Sequence, residues 1–279
     1  MDYKLICIDM DGTLLNKKHR ISQVSKEALK NAGDMGIHIV ISTGRMYADA
    51  KYYSDLLGVK SPVIASNGAI IKDKDSQIIY KSILKESVSQ KLIQIFTEHN
   101  VKPSFYTPEK AYTGNILFYL IIQYLKLKGI TDKKIAVEYV GSWQKWKQIL
   151  NIEKDNIIKC EVINKDKNKL GKIYEKLKKI NEIEITSSAK HNIEVTGRGV
   201  SKGRAAEILA SFYNIERENI IAIGDSENDL SMIEFAGTGV AMGNAIYMIK
   251  EKADYITDTN DNDGVAKAIN HFINQSNGL

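Results

Sequence analysis

Short apolar runs recur through the first 65 positions, and each is closed by small or polar residues. Leu5-Ile6-Cys7-Ile8 runs into Asp9-Met10-Asp11-Gly12-Thr13, Ile37-His38-Ile39-Val40-Ile41 into Ser42-Thr43-Gly44-Arg45, and Pro62-Val63-Ile64-Ala65 into Ser66-Asn67-Gly68. Apolar runs without polar alternation read as strands covered on both faces. Between them the pattern predicts a helix from about Ser22 to Met35, stopped by Gly36, and another reaching Leu57, stopped by Gly58. Ala69 to Ile71 and Gln77 to Tyr80 flank Lys72-Asp73-Lys74-Asp75-Ser76, which predicts a hairpin. Strand–helix alternation with short connections implies parallel strands joined by right-handed crossovers. Ligands of such sheets bind beyond the carboxyl ends of the strands, where Asp9, Thr43 and Asn67 fall.

From Leu84 the rhythm changes. Ser87 to His99 suits an amphipathic helix with Val88, Leu92, Ile95 and Phe96 on one face, and Leu170, Ile173, Tyr174, Leu177 and Ile180 form a second helical stripe. Strand-like pieces lie around Ser104-Phe105-Tyr106, Ile157 to Ile163, Ile183 to Ile185 and Asn192 to Val195. Residues 114–141 give no assignable period. The parallel rhythm returns with a helix from Ser201-Lys202-Gly203 through Phe212 and the strand Ile220-Ile221-Ala222-Ile223, which delivers Gly224-Asp225-Ser226-Glu227-Asn228-Asp229. Thr238 to Met242 and Tyr255-Ile256 read as further strands. The expectation is an α/β fold: a Rossmann-like parallel-sheet core over 1–83 and 190–279, with an α+β domain inserted over 84–189.

Composition adds modest constraints. With 279 residues, 43% hydrophobic and 26% charged, the chain is that of an ordinary globular protein. Between Leu84 and Ser188 stand 19 lysines, no arginine and 12 acids, so the net charge of +5 is concentrated in the insertion. A basic segment can draw in anionic substrates, although most such lysines simply face water. No basic stripe with interleaved aromatics argues for nucleic acid, and arginine is scarce. The most apolar stretch, Ile116 to Leu125, contains Gln123 and is too short to span a bilayer. With only Cys7 and Cys160, Cys7 in a core strand, and no signal-peptide pattern, the expectation is a cytoplasmic protein.

Candidate chemistry gathers at the sheet edge. Asp9 and Asp11 would point the same way if the strand continued. Gly12 lets the backbone turn so that the two carboxylates diverge around one small site. Taken alone, this is equally a solvated strand-to-loop turn. The later stretches add Asp225 and Asp229, the Thr43 hydroxyl, and Lys202 at a helix N-terminus. Oxygen-only carboxylates suit Mg²⁺, while Lys202 and the helix amides favour an anion. Such a site suits a phosphoryl group. A carboxylate could be the nucleophile and the second carboxylate the general acid and base.

These stretches also resemble a known family. Asp9-Met10-Asp11-Gly12-Thr13-Leu14 looks like motif I of the haloacid dehalogenase superfamily. Ser42-Thr43-Gly44-Arg45 is similar to motif II, Lys202 within Gly199-Val200-Ser201-Lys202-Gly203 to motif III, and Gly224-Asp225-Ser226-Glu227-Asn228-Asp229 to motif IV. The insertion, with Asn67-Gly68-Ala69 before it, resembles the Cof-type subgroup and its C2 cap, a substrate-selecting domain. The resemblance implies Asp9 as nucleophile and Mg²⁺ ligand, and Asp11 as acid/base that also gives a backbone carbonyl to the metal. It implies Asp225 as a further ligand, with Asp229 supporting the metal or Lys202 from behind. Thr43, Gly44, Lys202, Asn228 and the Met10 amide would hold the phosphate. Asn67 is a weaker substrate-contact candidate and Arg45 a weaker phosphate contact; His38, His191, Trp143 and Trp146 read as structural.

The leading expectation is a Mg²⁺-dependent phosphatase for a small phosphorylated metabolite, such as a sugar phosphate or phosphorylated cofactor. A phosphosugar mutase with the same site and a non-catalytic phosphometabolite-binding protein are the alternatives. No membrane or nucleic-acid partner is expected, and the chain reads as a monomer or weak homo-oligomer.

Overall fold

A computed structural model describes residues 2–128, 135–187 and 191–276, with side chains to residue 273. The chain forms two compact units. The first takes the chain up to Gly44, Ala50–Tyr80 and everything from Ser201 onward; the second takes Arg45–Asp49 and Lys81–Val200.

The chain begins with β1 (Leu5–Ile8), α1 (Gln23–Asp34), β2 (His38–Ser42), α2 (Tyr47–Asp55), β3 (Val63–Ala65), β4 (Ile70–Lys72) and β5 (Ile78–Lys81). All four residues of β1 are buried, as an uninterrupted apolar run requires. Ser22 caps α1, its hydroxyl accepting from the Ser25 amide at 3.1 Å. The helix stops where Gly36 takes a φ of 87°, a turn glycine makes without steric cost. His38 is half-buried and stacks on Tyr213 at 4.2 Å, a packing role.

The second unit follows with α3 (Glu86–Glu98), β6 (Pro103–Tyr106), β7 (Lys110–Thr113), α4 (Ile116–Leu127), β8 (Ala136–Tyr139), α5 (Trp143–Ile152), β9 (Lys159–Ile163), α6 (Lys167–Leu177), β10 (Ile183–Thr186) and β11 (Asn192–Gly197). Its sheet runs β10-β11-β9-β6-β7-β8, antiparallel except for the β7–β8 pair. One face carries Phe105, Cys160, Val162, Ile193 and Val195, which share a core with Leu92 and Phe96 of α3, Trp146 and Leu150 of α5, and Ile173 and Leu177 of α6. Alternation turns the intervening residues to the other face. There Lys159 pairs with Glu194 at 2.9 Å, the Tyr106 hydroxyl donates to Glu161 at 2.8 Å, and Asn192 donates to Glu161 at 3.1 Å. Burial, then the Glu161 carboxylate, pushes the Tyr106 phenol well above its usual range, so it stays a donor. Part of the 114–141 stretch thus resolves into α4 and β8, while residues 129–134 lie outside the described residues. No described helix is long and apolar enough to cross a membrane.

The first unit resumes with α7 (Lys202–Phe212), β12 (Ile220–Gly224), α8 (Leu230–Phe235), β13 (Thr238–Ala241), α9 (Tyr247–Lys252), β14 (Tyr255–Ile256) and α10 (Gly264–Ser276). Its sheet runs β14-β13-β12-β1-β2-β3-β4-β5. The strands from β14 to β3 are parallel and β4 is antiparallel to β3. Ile8 of β1 lies opposite Ile223 on one side and Ile41 on the other. That register places Asp9, one step past β1, beside Gly224 and Ser42, the last residues of β12 and β2.

Trp146 has no exposed surface and packs 5.4 Å from the Phe105 ring, whereas Trp143 is only partly buried with the Lys102 ammonium 4.1 Å above it. Trp146→Ala should therefore cost about 3–5 kcal/mol in chemical unfolding, the usual loss for emptying a large aromatic site. Trp143→Ala should cost clearly less. Equal losses would show that the core of the second unit is centred elsewhere.

Candidate active site

The carboxyl edge of the first unit's sheet gathers its chemistry from four separated stretches. Asp9 leaves β1 with its amide bonded to the Ile223 carbonyl at 3.0 Å, so the start of its turn is tied to β12. Beyond it Gly12 has a φ of 83°, and a side chain there would meet the Asp225 carboxylate at 2.5 Å. Glycine is needed on both counts. Gly224 likewise leaves room for Asp229, whose Cβ would lie 2.5 Å from any Cβ at 224.

Lys202 is the centre of the arrangement. It opens α7 behind its N-cap Ser201, and its ammonium donates to Asp9 and to Asp229, both at 2.6 Å. Its side chain has 0% exposure. The second oxygen of Asp229 accepts from the amides of Asp225 and Ser226, both at 2.9 Å. Fixed donors therefore surround Asp229. Asp225 accepts from Thr13 Oγ1 at 2.8 Å and Ser226 Oγ at 3.1 Å. Carboxylate oxygens of Asp9, Asp225 and Asp229 come within 4.8 Å of one another. The Asp11 side chain stays 47% exposed, with His19 Nδ1 4.0 Å from it.

The charges do not balance. Three buried carboxylates face one ammonium. Burial, and then the Asp229 charge, pushes Asp9 well above the usual carboxylate range against the pull of Lys202. Asp225 is pushed up to about 6 by burial first and Asp229 second. Burial opposes the Lys202 charge, yet Asp229 and Asp9 outweigh it and raise the ammonium above the normal lysine range. Oxygen donors with an uncompensated negative surplus suit a hard dication, so the residues fit Mg²⁺.

The neighbouring stretches converge on the same edge. Thr43 is buried; its amide donates to the Ile64 carbonyl at 2.9 Å and its carbonyl accepts from the Asn67 amide at 3.0 Å. Asn67 is buried too, and Asn228 Nδ2 donates to its side-chain oxygen at 3.1 Å, joining the stretch after β3 to the stretch after β12. Ser66 and Asn67 both hold positive φ, at 51° and 58°, a conformation costing about 1–3 kcal/mol per non-glycine residue. Arg45 donates to Asp49 at 2.6 Å within the second unit. Sequence reasoning gave no role to Thr13 or Ser226, the hydroxyls that hold Asp225. Their position inside the two acidic stretches, next to the carboxylates, is the signal that could have found them.

Fold and site together define a phosphoric monoester hydrolase. The chain belongs to the haloacid dehalogenase-like hydrolase family, whose model matches residues 6–269. It is 37% identical to the 5-amino-6-(5-phospho-D-ribitylamino)uracil phosphatase YcsE of Bacillus subtilis, over 98% of this chain and 97% of that one. It is 36% identical to a second such phosphatase of that organism, YwtE, over 98% and 97%. Among solved structures, a haloacid dehalogenase-like hydrolase from B. subtilis superposes with a TM-score of 0.84 at 33% identity, covering 96% of this chain and 99% of that one.

The raised pKa of Asp225 yields a signed test. The folded state binds this proton more tightly than the unfolded chain does, so this group's contribution to stability falls as pH rises from about 4 to 6. A dication held by these carboxylates would reverse that at neutral pH. At pH 7.5, Mg²⁺ at about 100 times its Kd should add about 2.7 kcal/mol and raise the Tm. At pH 5.5 protons compete and the increment should shrink. The same increment at both pH values, or its survival in Asp225→Asn, would show that the dication binds elsewhere.

Proposed function

We propose that the protein is a Mg²⁺-dependent cytoplasmic phosphatase that hydrolyses a small phosphorylated metabolite through an aspartyl-phosphate on Asp9. The observation that carries this reading is the buried contact of Lys202 with Asp9 and Asp229 beside Asp225, on a sheet edge where Asn67 links Thr43 to Asn228. Simple anion binding needs no such concentration of carboxylates.

In the first half-reaction a carboxylate oxygen of Asp9 attacks phosphorus. The phosphorus–oxygen bond to the organic part breaks, and Asp11 donates a proton to the departing oxygen. In the second, Asp11 takes a proton from water as that water attacks the aspartyl-phosphate, releasing inorganic phosphate and restoring Asp9. The exposure of the Asp11 side chain suits a group that exchanges protons with solvent-derived water. Lys202 reduces the repulsion between carboxylate and phosphate. Thr43, Asn228 and the amides of Met10 and Gly44 orient the phosphate oxygens, since positioning and electrostatics dominate phosphoryl transfer. Asp9, Asp225 and the Asp11 carbonyl would hold Mg²⁺, which would supply further neutralisation of the phosphate charge.

The second unit selects the organic part of the substrate. The polar face of its sheet, with Tyr106, Glu161 and Asn192, suits hydroxyl and amide groups. Three ribitylaminouracil phosphatases among the relatives make a phosphorylated polyol joined to a nitrogen base the first substrate class to try, followed by simple sugar phosphates.

Phosphate release from an aryl phosphate should require Mg²⁺ and stop with chelator. Asp9→Asn should abolish turnover, and Asp11→Asn should lower kcat by about 10²–10⁴-fold, the usual worth of a positioned acid/base. Wild-type turnover in Asp9→Asn would remove the assigned nucleophile.

Across a panel of phosphorylated metabolites, Glu161→Gln should change KM for polyol and sugar phosphates severalfold and leave the aryl phosphate kcat intact. An unchanged ranking of the panel would free the polar face from substrate selection.

A further inference from the structure

Helix α4 carries its apolar residues outward. Of its twelve residues only Gln123 and Lys126 are neither aliphatic nor aromatic, and none of the twelve is buried. Leu117, Leu120, Ile121, Tyr124 and Leu127 follow the spacing of a single helical face. They are 69, 53, 55, 57 and 87% exposed. Gln123 and Lys126 lie on the half-buried side instead. A helix that meets only water on its outer side has the opposite arrangement. The helix is well formed: Asn115 caps it, accepting from the Phe118 amide at 3.1 Å, and it packs on β7 and β8, the last strands of their sheet.

We propose that this face is a homodimer interface in which α4 packs against α4 of a second copy across a two-fold axis. Area is the first argument. With Ile116, also exposed, six large side chains each presenting on the order of 100 Å² give about 600 Å² per subunit, the lower end of what a specific dimer buries.

Charge is the second argument. A two-fold axis sets a patch against its own copy, so the patch must be self-complementary. Residues 84–188 carry 19 lysines against 12 acids, and most faces of this unit would repel themselves. Between Leu117 and Leu127 the stripe carries no charge, and the one cation beside it, Lys128 at the C-cap with its ammonium 5.8 Å over the Tyr124 ring, sits at the end that an antiparallel pairing sets apart from its copy. A lipid surface is the poorer occupant, because interfacial helices set several Lys or Arg on the side opposite their apolar face. In α4 that side lies against strands.

Sedimentation velocity on the full chain from about 1 to 100 μM, the range a modest interface requires, tests the proposal. The mass should rise with concentration toward twice 31.3 kDa. Leu120→Glu with Tyr124→Glu should remain monomeric and keep its aryl phosphate turnover within twofold. Ile121→Cys near the middle of the stripe should form a disulfide-linked dimer on mild oxidation, since Cys7 and Cys160 are buried. This last variant keeps the proposal open to refutation if the double variant fails to fold. A wild-type mass fixed at the monomer, or a dimer that neither the charges nor the cysteine affects, overturns it. A monomer that co-sediments with phosphatidylserine vesicles through α4 overturns it as well and gives the face to a membrane.

Discussion

An ammonium ion withdrawn from water is stable only while its counter-charges are held close, and the first unit is arranged around that requirement. Lys202 has no exposed surface and touches Asp9 and Asp229 at 2.6 Å each. Removing both acids would strand a buried charge, a loss several times that of a surface pair. Asp229 meets the demand with geometry alone, because its second oxygen is already saturated by two backbone amides. Asp9 answers to Lys202 on one oxygen and lies within 4.8 Å of the other two acids. The surplus of negative charge is a cost to the fold and a resource for the chemistry.

Backbone conformation makes the crowding possible. Gly12 and Gly224 admit the carboxylates of Asp225 and Asp229 at distances no side chain would allow. Ser66 and Asn67 hold left-handed conformations that only a well-determined surrounding sustains, and the Asn67–Asn228 hydrogen bond is part of that surrounding. Register completes the arrangement, since β1 lies between β2 and β12 with their ends level.

Much of this was legible in the residues because two signals coincided. Uninterrupted runs such as Leu5–Ile8 and Ile220–Ile223 mark central parallel strands, and the acids immediately after them fall at the binding edge by topology. Asp229 was read as a support, and its saturated oxygens suit that role, while its distance to Asp9 and Asp225 was beyond any spacing rule. Helix α4 escaped because a segment apolar on nearly every side has no period to read. Helix α5 is hard to read although Ser142 stands at its cap, since Trp143 and Trp146 signal a helix only when taken together as one turn. The hydrogen bonds of Thr13 and Ser226 to Asp225 depend on a turn geometry that residue type alone does not specify.

The interruption of the first unit's sheet by the second unit has a consequence for biosynthesis. Strand β1 pairs with β12, Leu5 opposite Ile220, so one central neighbour of the first strand is translated long after it. At about 5–20 residues per second this delay is on the order of ten to forty seconds. The nascent chain therefore carries a hydrophobic strand with one edge unpaired while the contiguous middle segment can complete its own sheet. Asp9 leaves the ribosome about two hundred residues ahead of Lys202 and Asp229, so its carboxylate waits for the groups that bury its charge.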